Sequence, residues 1–111
     1  MNTMTFICSP YGGKPENIAL ARRFMRMAVA AGMVPISLPV MLHGILDDHN
    51  PEQRKAGMEA GHEIMRLCGW MWICGNTITP GMQADREAFQ KTLGLERWVF
   101  MADLEEWEAR T

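Results

Sequence analysis

Met4-Thr5-Phe6-Ile7-Cys8, followed by Ser9-Pro10-Tyr11-Gly12-Gly13 and then by Pro15, is the stretch that decides the fold. Five residues of apolar, β-prone chain run into a proline–glycine break, and a helical pattern begins directly after it. A buried strand that ends in a glycine turn before a helix is how α/β proteins build small-molecule sites. Glycine lets the backbone approach a ligand, and the first turn of a helix offers unpaired N–H groups to phosphate or another anion.

The same rhythm repeats along the chain. The first helix is expected from about Pro15 to Ala31, with Pro15 at its first position and Gly32 after its end. Ile18, Ala21, Met25 and Ala28 with Leu20, Phe24, Met27 and Ala31 form its wide apolar face, and Arg22, Arg23 and Arg26 face outward. A second strand is expected over Val34–Leu38, closed by Pro39. A long connection from Val40 to Asn50 carries His43, Asp47, Asp48 and His49. Asn50, Pro51, Glu52 and Gln53 start a second helix that ends near Cys68. Trp70–Cys74 is apolar at every position, as a central strand covered on both faces must be. Thr79 and Pro80 open a third helix, expected to reach about Leu93 before Gly94. Arg97–Met101 is the expected fourth strand, and Asp103 starts a short terminal helix through Glu108.

Strands separated by helices imply a parallel sheet with right-handed crossovers. Ligands in such sheets bind beyond the carboxyl ends of the strands. Ser9–Gly13, Leu42–Asp48 and Gly75–Asp85 therefore converge on one rim.

At 111 residues, with no linker, repeat or low-complexity tract, the chain reads as a single domain over 1–111. A formal net charge of −2 argues against a sequence-independent nucleic-acid binder. No apolar run nears the roughly 20 residues that span a bilayer, and no signal-peptide pattern opens the sequence, so the expected location is cytoplasmic. Cys8, Cys68 and Cys74 are odd in number and lack zinc spacing; they read as buried thiols, and neither a metal nor a cofactor is expected. Eleven methionines and four tryptophans leave two readings open, a surface for a partner subunit or loose core filling.

Asp85 is the sharpest candidate for chemistry. It shares a helix face with Met82 and Phe89, so it points toward the sheet, where desolvation raises a carboxylate pKa. The plain alternative is an acid favoured by the helix dipole. Tyr11, the one tyrosine, reads either as a hydrogen-bond partner for a carboxylate across the rim or as an exposed turn residue. Ser9, Gly12 and Gly13 form a weak phosphate or sugar cradle or a simple tight turn. Asp48 is either a ligand for a sugar hydroxyl or part of a solvated acidic turn. Gly75, Gly81 and Met82 border the same rim. His43, His49 and His62 show no ligand spacing and read as surface or packing residues. Gly57 and Gly61, four apart, permit a close approach either to another subunit or to the sheet.

Taken together, Cys8-Ser9-Pro10-Tyr11-Gly12-Gly13 with Glu16-Asn17, Leu46-Asp47-Asp48 with Pro51-Glu52-Gln53-Arg54, Trp72-Ile73-Cys74-Gly75, and Ile78-Thr79 with Gly81-Met82 and Asp85 resemble the small, often phage-borne domains of nucleoside 2-deoxyribosyltransferase-like type. The resemblance runs from Met4 to about Met101. It implies a doubly wound, flavodoxin- or Rossmann-like sheet of about four strands with helices on both faces. It implies a nucleoside or nucleotide ligand and assembly as a homodimer or larger homo-oligomer. It also implies cleavage or transfer at the N-glycosidic bond by an attacking carboxylate. The family's nucleophile is usually glutamate; its place falls on Asp85, with Tyr11 to orient it. Two departures stand out. Aspartate is one methylene shorter, a retreat of about an ångström that can cost about a hundredfold in rate. Gly69 also stands where relatives often carry an acid. Both departures keep open a non-catalytic binder that sequesters a nucleotide-type signal.

Overall fold

The computed structural model describes residues 2–111. Four strands, β1 (Met4–Cys8), β2 (Val34–Ile36), β3 (Trp70–Cys74) and β4 (Leu95–Val99), form one sheet in the order β2-β1-β3-β4, all parallel. Five helices connect or follow them: α1 (Pro15–Ala30), α2 (Leu38–Leu42), α3 (Pro51–Met65), α4 (Pro80–Phe89) and α5 (Met101–Arg110). This is the expected doubly wound parallel α/β fold.

Side chains alternate across the two central strands. Phe6, Cys8, Met71 and Ile73 point to one face and pack with Leu38, Met65, Met82 and Phe89. Ile7, Trp72 and Cys74 point to the other and pack with Phe24, Met27, Ala28, Val99 and Leu104. One face is thus covered by α3 and α4, the other by α1 and α5. Arg23, expected to face outward, reaches across to Glu108 and ties α1 to α5 at 2.6 Å. The chain leaves β1 toward β2 on one side and later returns to β3 on the other. The switch between β1 and β3 opens a crevice at their carboxyl ends.

Several boundaries differ from the sequence reading. The second strand ends at Ile36, because the Ser37 hydroxyl accepts from Val40 N (3.3 Å) and starts α2 with Pro39 in its first turn. α4 stops at Phe89, not Leu93, because Thr92 Oγ1 donates to the Phe89 carbonyl at 2.7 Å and breaks the helical ladder. β4 begins at Leu95, paired with Trp70, and stops at Val99. Phe100 then caps α5 and donates its N–H to Asp103 Oδ2 at 2.8 Å.

Gly94 is therefore not a helix terminator. A Cβ there would lie 2.1 Å from Cζ of Phe89, whose ring is fully buried. Gly61 is different: its Cβ would meet Leu38 at 3.7 Å and Phe6 at 3.8 Å, ordinary contacts. The pair gives a matched prediction. Gly94→Ala is expected to lose about 2 kcal/mol through overpacking. Gly61→Ala, in a helix interior, is expected to be neutral or to gain up to about 1 kcal/mol from propensity. Urea unfolding of both variants measures the contrast, and equal midpoints would contradict it.

The three thiols are buried and unpaired. Burial pushes Cys8 and Cys74 far above the ordinary thiol range, so both are inert at neutral pH. Met27, Met65, Met71 and Met82 fill the core, while Leu93, Leu95, Trp98 and Phe100 leave exposed apolar surface at and beside the edge strand β4. Among the described residues, no helix is long and apolar enough to cross a membrane.

Candidate functional site

A cavity of about 550 Å³ lies at the carboxyl ends of the strands, within the size range of small-molecule sites. The three segments expected to converge do so. The β1–α1 turn contributes Ser9, Tyr11, Gly12 and Lys14; α2 and the following loop contribute Leu42, Leu46 and Asp48; the start of α4 contributes Thr79, Gly81, Met82 and Asp85. A fourth wall, α3, adds Arg54, Gly57, Met58 and Gly61.

Local sequence explains the placement. Gly12 and Gly13 have φ of 58° and 72°, a left-handed bend that turns the chain from β1 into α1. Asn17 Nδ2 donates to the Tyr11 carbonyl at 2.8 Å and pins the bend from α1. On the far side, the Thr79 hydroxyl accepts from Met82 N at 3.2 Å and fixes the first turn of α4. Asn50 caps α3 by accepting from Glu52 N and Gln53 N. Gln53 Oε1 accepts from Asp47 N at 2.7 Å and holds the acidic loop against that helix.

Of the residues singled out from sequence, Ser9, Tyr11, Gly12, Asp48, Gly81, Met82 and Asp85 line the cavity. Gly13 and Gly75 do not. Gly13 is a buttress, since a Cβ there would sit 3.3 Å from His49 Nε2 and 3.7 Å from Asp48 Cβ. Gly75 (φ 105°) serves the bend after β3, where its N–H donates to the Val99 carbonyl. Gly61 packs against Leu38 and Phe6, as the sheet-packing reading of that pair expects, while half-buried Gly57 lies against Leu46. Their missing side chains also leave room for the cavity.

Asp85 sits one and a half turns into α4, with Met82 and Phe89 buried on the same helix face, as its spacing required. Its side chain is 28% exposed. Burial is the main reason its pKa is raised from 3.8 to about 6, with His62 pulling the other way. His62 Nε2 stands 3.6 Å from Asp85 Oδ1, an ion-pair distance longer than a formed hydrogen bond. Glu87 points away and accepts from Gln83 at 3.1 Å.

Tyr11 shares the cavity, but its hydroxyl is engaged at 3.0 Å with His43 Nδ1. Burial, then the charges of Asp48 and Asp47, raise its pKa. The polar partner beside Asp85 is thus a histidine from α3. The Ser9 hydroxyl oxygen is buried and, among the described residues, has no hydrogen-bond partner. Gly69 stands at the opposite end of β3 from the cavity. Its N–H donates to the Met4 carbonyl, and a Cβ there would lie 2.4 Å from the Asn2 carbonyl oxygen. An acid at this position would neither fit nor reach the rim.

Sequence reasoning did not single out Lys14, and it met Asn17 and Arg54 only as parts of a motif. No short-range pattern marks them. His62, read from sequence as a surface or packing residue, lies one residue after Gly61, on a helix that packs against the sheet. Among the described residues no group of three or more His, Cys, Asp or Glu is arranged to hold a metal ion.

A family model described as a domain of unknown function, DUF7768, matches residues 3–96. The chain belongs to the DUF7768 family. The matched span includes β1, the glycine bend, α3, Asp85 and the start of β4, so every wall of the cavity lies within the DUF7768 domain. No curated protein matches the sequence.

Proposed function

We propose that this DUF7768 protein takes a nucleoside or nucleotide into the cavity and cleaves, or transfers at, its N-glycosidic bond through Asp85. The observation that carries the reading is Asp85 itself: a half-buried carboxylate on a ligand cavity at the topological switch point, with its pKa raised to about 6. A group that titrates there is mostly ionised at neutral pH yet poorly solvated, which suits a nucleophile.

In the proposed reaction a carboxylate oxygen of Asp85 attacks the anomeric carbon. The bond to the base nitrogen breaks, and the base leaves with the electron pair and takes up a proton. Water, or the nitrogen of a second base, then displaces the carboxylate from the glycosyl ester. In this reading Asp48 accepts from a sugar hydroxyl, and Ser9, whose hydroxyl has no hydrogen-bond partner among the described residues, contacts the sugar or phosphate. Gly12 and Gly81 allow close backbone approach, and Met82 packs under the ligand. The same proposal places the protein in the cytoplasm and has copies of it associate.

Incubating the protein with deoxynucleosides and their monophosphates, and separating products by chromatography, tests the reaction. Free base above the level of an Asp85→Asn control is the expected result; its absence with every substrate overturns cleavage.

A second reading, capture without turnover, is favoured by the Tyr11 hydroxyl's commitment to His43 and by the short reach of aspartate. It expects unchanged ligand after the complex is denatured. A ligand at a hundred times its dissociation constant should stabilise the protein by about 2.7 kcal/mol in a thermal-shift screen, and no stabilisation by any nucleoside or nucleotide would sink both readings.

A further inference from the structure

We infer that His62 is the positioning residue for Asp85: in its protonated form it fixes the carboxylate and keeps it ionised when a ligand drives water from the cavity. The inference rests on the reading of Asp85 as the reactive group. It extends that reading to a residue outside the cavity, on a different helix.

Three observations carry it. First, His62 on α3 and Asp85 on α4 cover the same face of the sheet, with Nε2 3.6 Å from Oδ1. Charge-assisted hydrogen bonds are about 2.8 Å long, so a shift of less than an ångström closes the pair. Second, Nε2 is shielded from solvent and, among the described residues, has no hydrogen-bond partner. A buried polar nitrogen left open in this way costs free energy unless it is used. Third, His62 does not line the main cavity. It lines an outer groove with Asp48, His49, Lys55 and Glu59. The imidazole therefore stands in the wall, with Nε2 toward the ligand-side carboxylate and the side chain partly exposed on the groove.

The other charges around the pair do not replace it. Arg86, next along α4, is committed to Glu96 on β4 at 3.2 Å. Cys8 on β1, close enough to feel Asp85, is neutral. Glu59 and Lys55 on α3 pair with each other at 4.0 Å; Asp48, His49 and Arg54 line the groove, and Arg54 and Lys14 line the cavity with Asp85 but, among the described residues, form no ion pair with it within 4 Å. Among the described residues, His62 is the one basic group within 4 Å of Asp85. Filling the cavity strips water from Asp85 and favours its neutral, non-nucleophilic form. An imidazolium at this distance opposes that change where it matters.

Carbon-13 NMR titration of the Asp85 carboxyl in the ligand-free protein tests the inference without any substrate. The His62→Gln variant is expected to raise the midpoint by about one unit, the size of effect an opposite charge at this distance exerts. His62→Lys, which keeps a cation, is expected to leave the midpoint at or below that of the parent. An unchanged midpoint in His62→Gln overturns the inference, as does a rise in His62→Lys equal to that in His62→Gln, which would mark a packing effect. With substrate, the acid limb of the kcat profile should move with the midpoint in His62→Gln while KM changes less; a fixed limb overturns the role. Absent base release alongside the expected NMR shifts overturns the proposed reaction and leaves the His62–Asp85 pair standing.

Discussion

Asp85→Asn is expected to abolish base release while leaving ligand binding nearly intact. Asparagine has the shape of aspartate but no nucleophilic oxygen, so no glycosyl ester forms and the covalent route closes. Removing a nucleophile of this kind costs at least about a thousandfold in turnover. The cavity itself is unaffected. Asp85 is one of many lining side chains, and the Thr79 cap and the buried Met82 that shape the turn beneath it do not depend on the charge. Affinity is therefore expected to change by less than about 1 kcal/mol, the worth of one hydrogen bond. The measurement is paired: product formation by chromatography and binding by calorimetry on the same preparation. Turnover within tenfold of the parent would remove Asp85 from the chemistry. Equal loss of binding and turnover would recast it as a ligand-holding group.

The sequence shows Asp85 because two independent signals coincide on it. Helical spacing puts it beneath Met82 and Phe89, and strand–helix alternation puts the start of its helix at the rim. Both are local periodicities, and both survive folding. Tyr11 was legible to the same degree, since a residue in a glycine bend after a buried strand must stand at the rim. Its partner was not. The Tyr11–His43 contact joins two loops 32 residues apart, and nothing in either loop encodes the other. His62 illustrates a second kind of blindness. Only the packing of α3 beside α4 on one face of the sheet brings it to Asp85, and that adjacency follows from the strand order rather than from either helix. α2 was missed for a local reason. Ser37-Leu38-Pro39 reads as the end of a strand, but the same residues make a capped first turn, and the hydroxyl decides it. Gly94 was legible as a glycine that had to be there, but not for its cause. The ring of Phe89 folds back over it, a contact made after the helix has already ended.

Asp85 also sets a pH-dependent cost on the fold, and the same substitution relieves it. The pKa is raised on folding, from 3.8 to about 6, so between those values the native state holds a proton that the unfolded chain has lost. Stability therefore falls as pH rises through this window and levels off once the folded carboxylate is ionised. The full shift corresponds to about 3 kcal/mol as an upper bound, reduced by the solvent that still reaches a partly exposed carboxylate. Asp85→Asn has no charge to desolvate. It is expected to match the parent near pH 3.5 and to be more stable above about pH 6.5, by 1–3 kcal/mol, or several degrees in Tm for a domain of this size. Loss of the His62 contact works against the gain, and is the smaller effect because burial dominates the shift. Thermal unfolding of the two proteins across the pH range decides the matter. A constant difference in Tm would mean that Asp85 is not desolvated in the native state. A variant less stable at neutral pH would mean that the ion pair with His62 outweighs burial. The expected outcome, a protein that gains stability as it loses turnover, is the mark of a carboxylate kept in an unfavourable environment for its chemistry rather than for the fold.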